Sequence, residues 1–164
     1  MDTHTLADGG QLRKYNIALL VNSGTSSSPT WVQVAKSTDL TITMNAETED
    51  RDFITDTAPT TILKRYKPSL NQPITLFKGE DDYEYFWDLF YNLKTGSDAE
   101  TQLLVVFMNE ESGTSFEAWL TDAVCVCSDL NGTDGILTFT INFNGSVELG
   151  TVTVTDGTPV FTAA

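Results

Sequence analysis

Hydrophobic positions along this chain recur mostly with a period of two, the spacing of strands, and only once with helical spacing. Residues 15–21 make an apolar run of strand length, and a Ser/Gly/Pro loop follows over 22–29. Trp31-Val32-Gln33-Val34 comes next. Residues 39–44 alternate cleanly, with Leu40, Ile42 and Met44 on one face and Thr41 and Thr43 on the other. That alternation predicts a half-buried strand. Ile74-Thr75-Leu76-Phe77 predicts another, ended by Gly79. Residues 103–107 are apolar on both faces, Asn109 to Gly113 turns, residues 116–126 run back, and 129–135 turn again. Leu137, Phe139, Ile141 and Phe143 then share a face, with Thr138, Thr140 and Asn142 opposite. Asn144-Gly145 is the strongest hairpin signal, because both central positions of a type I′ turn need positive φ. Residues 147–155 are expected to return from it, and Asp156-Gly157 turns before a short arm holding Phe161.

The single helical segment spans about residues 81–94. Acidic residues crowd its start, Lys94 closes its end and Gly96 suits the stop, all favourable for the helix dipole. Asp81, Glu84, Asp88 and Asn92 fall in one narrow stripe. Tyr83, Phe86, Trp87, Leu89, Phe90, Tyr91 and Leu93 cover most of the remaining circumference, so this helix is expected to need cover on two sides. Order weakens over 45–73, where acids surround only Phe53 and Ile54, Pro59, Pro68 and Pro73 punctuate, and Lys64, Arg65 and Lys67 form a basic counterweight. We expect a long loop there, functional or a solvated hairpin excursion. The class is mainly β, about nine or ten strands around one helix. One domain over 1–164 is expected, with an N-terminal arm over about 1–12 and a C-terminal arm over about 156–164.

Nine Lys/Arg against 23 Asp/Glu leave a net charge of −14. That balance excludes a protein that grips nucleic acid through phosphate neutralisation, or one that adsorbs to anionic lipid. No apolar run reaches the length of a membrane span. The start Met-Asp-Thr-His-Thr lacks a basic n-region and an apolar h-region, so the chain is expected to stay where it is synthesised. Cys125 and Cys127 are not a CxxC pair and read as small hydrophobes in a reducing compartment. His4, the one histidine, sits in the arm, a poor place for a preorganised catalytic pair. Phosphate loops of either glycine-rich type are missing from the sequence. Asp129 to Gly135 resembles a calcium loop, but its second Asp is one position late and position twelve is Thr140, so it reads as a hairpin turn. The sequons at Asn131 and Asn144 read as turns as well. We therefore expect no catalytic residue, no metal and no cofactor.

Several segments, in their order and spacing over roughly residues 31–161, resemble the major tail protein, or tail tube protein, of long-tailed bacteriophages. They begin with residues 31–41, leading into Thr38-Asp39-Leu40-Thr41. Glu47-Thr48-Glu49-Asp50 with Asp52-Phe53-Ile54 follows, then Lys64-Arg65-Tyr66-Lys67-Pro68-Ser69. The aromatic helix after Phe77-Lys78-Gly79-Glu80 and the closing Gly157-Thr158-Pro159-Val160-Phe161 complete the resemblance. It implies a small β-sandwich or barrel-like domain flanked by one helix, six copies closing a ring, rings stacking into a tube that passes DNA without specific binding, and no membrane anchoring. It also implies tape-measure, tail terminator and distal tail partners, and assembly in the bacterial host cytoplasm into the virion tail. On this reading Glu47, Glu49, Asp50, Asp52, Phe53, Ile54, Lys64, Arg65 and Lys67 are candidate contacts between copies, the acidic stretch pairing with the basic one. Thr138, Thr140 and Asn142 are candidates for the lumen. Two alternatives stay open: a tube protein of a contractile injection or secretion device, and a β-sandwich carbohydrate-binding module using Trp31, Trp87 and Trp119.

Overall fold

The computed structural model of the chain describes residues 1–109 and 114–164. Ten strands and one α-helix are present among the described residues: β1 (Ile17–Asn22), β2 (Trp31–Gln33), β3 (Ile42–Thr43), β4 (Glu47–Arg51), β5 (Thr60–Arg65), β6 (Ser69–Thr75), α1 (Asp81–Tyr91), β7 (Glu100–Phe107), β8 (Ser115–Asn131), β9 (Ile136–Thr155) and β10 (Thr158–Ala163). The mainly-β class with one helix is as expected. Its layers differ from two packed sheets. Eight strands form one sheet in the order β2-β1-β7-β8-β9-β6-β3, with β10 added beside β9, while β4 and β5 form a separate hairpin.

Both faces of the central strands are buried, which is why 103–107 is continuously apolar. Leu19, Val21, Leu103 and Val105 point to one core with Phe139, Ile141, Phe86 and Leu89. Ala18, Leu20, Leu104 and Val106 point to the other with Phe116, Ala118 and Val152, closed by Met1, Trp31 and Phe161. The helix therefore covers only one core. Its Phe86 ring lies 5.0 Å from Phe139. The expected cover on a second side is not a sheet: Tyr83 stacks on Trp87 (5.7 Å, 10°), which in turn meets Phe90 at 5.3 Å. Tyr91 and Leu93 remain exposed.

Several boundaries depart from the sequence expectation for identifiable reasons. Asn144-Gly145 is not a hairpin. β9 runs straight through it, and Gly145 (φ 95°) starts a bulge in which residues 145–147 stand opposite Thr121 alone. Strand pairing on both flanks outweighs the local turn preference, and the bulge bends both long strands. The type I′ positions are Asp156 (φ 49°) and Gly157 (φ 77°), so residues 158–163 of the expected C-terminal arm are strand β10. The strand expected over 39–44 shrinks to Ile42–Thr43. Ser37 Oγ donates to Asp39 O and Thr41 Oγ1 to Asp39 Oδ1, local bonds that bend the backbone before it. The strand expected at 74–77 is instead β6, with Pro73 accommodated where only one neighbour, β9, pairs with it. The turn expected at 109–113 lies outside the described residues except for Asn109. The helix ends at Tyr91 in a Schellman motif: Lys94 N–H bonds Leu89 O and Leu93 N–H bonds Phe90 O, with Leu93 left-handed at φ 48°.

Candidate functional site

Residues 45–67, expected as part of a long loop, form the β4–β5 hairpin, which stands apart from the main sheet. Every residue of β5 and all but one of β4 are exposed. Period-two burial is lost because neither face has a layer to bury against. Glu47, Glu49 and Asp50 lie on β4, Lys64 and Arg65 on β5. The acidic and basic stretches do face each other, but across this one hairpin. Arg65 pairs with Glu47, Lys64 Nζ lies 2.7 Å from Glu49, and Thr61 Oγ1 donates to Asp50 Oδ1 at 2.7 Å. The Arg65 guanidinium, by hydrogen bond and charge, holds the Glu47 carboxyl below the usual carboxylate range. Glu47, Glu49, Lys64 and Arg65 thus pair within the chain, while Asp50 meets only a neutral hydroxyl.

Asp52, Phe53 and Ile54 sit in the 52–59 tip. Asp56 N–H bonds Phe53 O at 2.9 Å, a turn that lifts Ile54 fully into solvent, with Phe53 58% exposed. Ile62, Leu63 and Tyr66 add further exposed apolar surface along the hairpin. Lys67 is at its base, where its N–H bonds Met44 O and its carbonyl accepts from Asn45 Nδ2. A two-stranded hairpin alone is marginal in water.

The lumen candidates share a face, as their alternation predicted. Thr140 lies between Asn71 and Val126, and Asn142 between Ser69 and Val124. Thr138 lies between Pro73 and Asp129 on the same side, and Ser128 Oγ meets Thr140 Oγ1 at 3.3 Å. This face turns away from the helix-side core. Two of its strands, β8 and β9, belong to a chain segment with one sign of charge, since residues 95–164 hold ten Asp/Glu and no Lys or Arg, while Lys67, just before β6, lines a cavity with Val124 and Asn142.

Sequence reasoning missed Asp82, only 2% exposed, whose Oδ2 accepts from Ala35 N–H (3.1 Å) and Lys36 N–H (2.9 Å) and ties the segment after β2 to the helix. Its position in the Glu80-Asp81-Asp82 run hid it among exposed acids. The three tryptophans offered for sugar stacking are all half-buried, Trp87 under Tyr83, Trp119 edge-on to Phe107 and Trp31 against the second core. Around Asp129–Gly135 the Asn131 side chain takes the Thr133 and Asp134 N–H groups and donates to Asp134, a capped turn.

No family model and no curated protein sequence matches the chain. Solved structures do. A chain in the tail of an empty GTA particle, computed with helical refinement and C6 symmetry, superposes with a TM-score of 0.57 at 12% identity, over 84% of this chain and 97% of that one. A chain of the anti-feeding prophage cap, which terminates its tube, gives 0.53 at 12%, over 94% and 97%. A chain of the extracellular contractile injection system PVC, at its sheath/tube terminator in the extended state, gives 0.51 at 11%, over 85% and 96%. The mainly-β fold with one helix thus matches, over nearly the full length of each neighbour, chains found in a particle tail and in tube terminators.

Proposed function

We propose that this chain is a structural subunit of a tail tube, not an enzyme, and that it self-associates into stacked rings, six copies to a ring. The observation that carries the reading is the β4–β5 hairpin, an exposed arm with an apolar tip, on a chain whose fold matches, over 84% of its length, a chain of a C6 helical tail. Phe53 and Ile54 anchor the hairpin on a neighbouring copy. The conduit would carry DNA, and the Thr138/Thr140/Asn142 face would line it. Duplex DNA presents about one negative charge per 1.7 Å of axis. Strands β8 and β9 of that face carry acids and no Lys or Arg, a like charge that repels the duplex and leaves it mobile, an effect limited to groups within the Debye length of about 8 Å at physiological salt. Tape-measure, terminator and distal tail proteins are the partners this role requires, and the virion tail its location.

A second reading has its own support, since two of the three neighbours above are in terminators: a ring that caps a tube and does not stack. Negative-stain microscopy with light scattering over a concentration series separates the two. Hollow tubes of uniform width support the tube subunit, single rings at every concentration support the cap, and a monomer throughout removes both. A Phe53→Asp/Ile54→Asp variant should remain folded and form no tubes. Normal tubes from it would remove the hairpin from the contact.

A further inference from the structure

Residues 1–8 cross the mouth of the second core. Met1 N donates to Gly157 O at 2.6 Å, Asp2 N–H to Gln33 Oε1 at 3.2 Å and Leu6 N–H to Met108 O at 3.0 Å. Asn16 Nδ2 donates to His4 O at 2.7 Å. Of these eight side chains only Met1 and Leu6 are even half-buried.

The surface beneath is larger than the arm that lies on it. β2 and β10 each pair on one side only, and their free edges bound a groove of about 810 Å³ floored by Leu20, Leu120, Trp31 and Phe161. Met1 fills one end. On the other flank a cavity of about 250 Å³ opens between Asp2, His4, Tyr15 and Gln72, and Gln72 Nε2 is buried there without a hydrogen-bond partner. A groove between two unpaired strand edges is a receiver for an extended segment.

The arm reaches its place only by folding back. Gly10 N–H bonds Ala7 O at 2.9 Å, Gly9 is left-handed at φ 79°, and a Cβ at Gly10 would stand 2.9 Å from Ala7 O and 3.0 Å from Leu6 Cδ1. Opening this Gly-Gly turn swings residues 1–8 away from their own domain.

We propose that the surface now under residues 1–8, from the Gly157 end of the β2/β10 groove past Gln33 to Met108, is an interaction surface for a second copy, and that its occupant is residues 1–8 of that copy. The occupant is specified by what already lies on the surface: in an exchanged arrangement each donor finds the same acceptor, and the cost is confined to the turn at Gly9-Gly10. Passed from each copy to the next in one direction, the arm makes a head-to-tail contact of the kind that closes rings. The inference rests on self-association of the chain, and its test separates the two.

Asp2→Cys and Gln33→Cys are combined with Cys127→Ser, the proteins are incubated over a concentration series with a short bis-maleimide, and the products are read on a denaturing gel. Exchange gives a ladder of covalent oligomers, and Gly10→Ala, which obstructs the fold-back turn, shifts product further from monomer to ladder. Cross-linked monomer alone at every concentration overturns the proposal. Tubes under the microscope with cross-linked monomer alone overturn it while leaving the tube reading in place; a ladder without tubes does the reverse. A chain lacking residues 1–8 provides a second, independent check: its cooperative melt persists and its association is lost, whereas unchanged association overturns the exchange.

Discussion

Replacing Asp82 with alanine removes an acceptor that joins two elements. Its carboxylate is 2% exposed and takes the Ala35 and Lys36 amides at 3.1 and 2.9 Å, while Oδ1 takes the Tyr83 amide of its own helix. A hydrogen bond to a charged group contributes about 1.5–3 kcal/mol. The two cross-element bonds therefore set an upper bound of about 6 kcal/mol. Ala35 and Lys36 are themselves exposed, so water reaches their amides once the carboxylate is gone, and about 2–3 kcal/mol is the expected loss. For a chain of this length that lowers the melting temperature by roughly 5–10 °C. Asp82→Asn keeps an oxygen acceptor and loses the charge, so it should fall between, near 1 kcal/mol. Thermal unfolding followed by circular dichroism reads the global effect, and hydrogen exchange at the Ala35 and Lys36 amides reads the local one. An alanine variant within about 0.5 kcal/mol of the parent, with unchanged exchange at those two amides, would refute the clamp.

Leu93 holds the left-handed position of the Schellman motif at φ 48° and is 78% exposed, so Leu93→Gly should stabilise by up to about 1 kcal/mol in urea unfolding. Gly150 has no such freedom, because a Cβ there would stand 2.3 Å from Thr162 O and 2.6 Å from Phe161 Cζ. Gly150→Ala should cost about 2–3 kcal/mol and raise exchange along β10, a loss visible in the same urea experiment. Burial pushes the Cys125 thiol from 9.0 up to about 12, whereas Cys127 is exposed. A colourimetric thiol reagent at pH 8 should therefore count one reactive thiol per native chain and two after denaturation. Because the folded-state value is raised, the contribution of Cys125 to stability is whole below pH 9 and is lost as pH rises toward 12, so alkaline unfolding should shift upward in Cys125→Ala relative to its own neutral-pH stability.

Legibility in the sequence followed burial. Leu137, Phe139, Ile141 and Phe143 alternate because β9 has one face on a core and one on solvent, and the same alternation placed Thr138, Thr140 and Asn142 together before any coordinates. The helix start was readable from Asp81, Asp82 and Glu84, its end only approximately, since the stop is made by Leu93 in a conformation that usually selects glycine. At Asn144-Gly145 a strong local preference lost to pairing with β8 on both sides of it, a non-local effect that no window of a few residues contains. Over 45–67 the pattern was silent because both faces of the hairpin are wet. Its register is carried by charge instead, Glu47 opposite Arg65 and Glu49 beside Lys64, spaced almost symmetrically about the tip. Asp82 gave no signal at all, since an acid at a helix start is ordinary and only the fold brings the Ala35 and Lys36 amides to it.

These placements change which force is expected to hold copies together. With Arg65 and Lys64 already paired to Glu47 and Glu49, the hairpin offers a neighbour mainly Phe53, Ile54, Leu63 and Tyr66. Like charge on the strands after Lys94 opposes close approach of copies, so added salt should help association rather than hinder it. At about 1 M salt the Debye length falls to about 3 Å, which removes repulsion between exposed acids and leaves apolar burial intact. Light scattering of the chain in 0.05 to 1 M sodium chloride should therefore show association unchanged or strengthened, and the Phe53→Asp/Ile54→Asp variant associating less than the parent at every salt concentration. Assemblies that dissolve as salt rises would mean that charge pairs between copies carry the contact, and the apolar tip would lose its role.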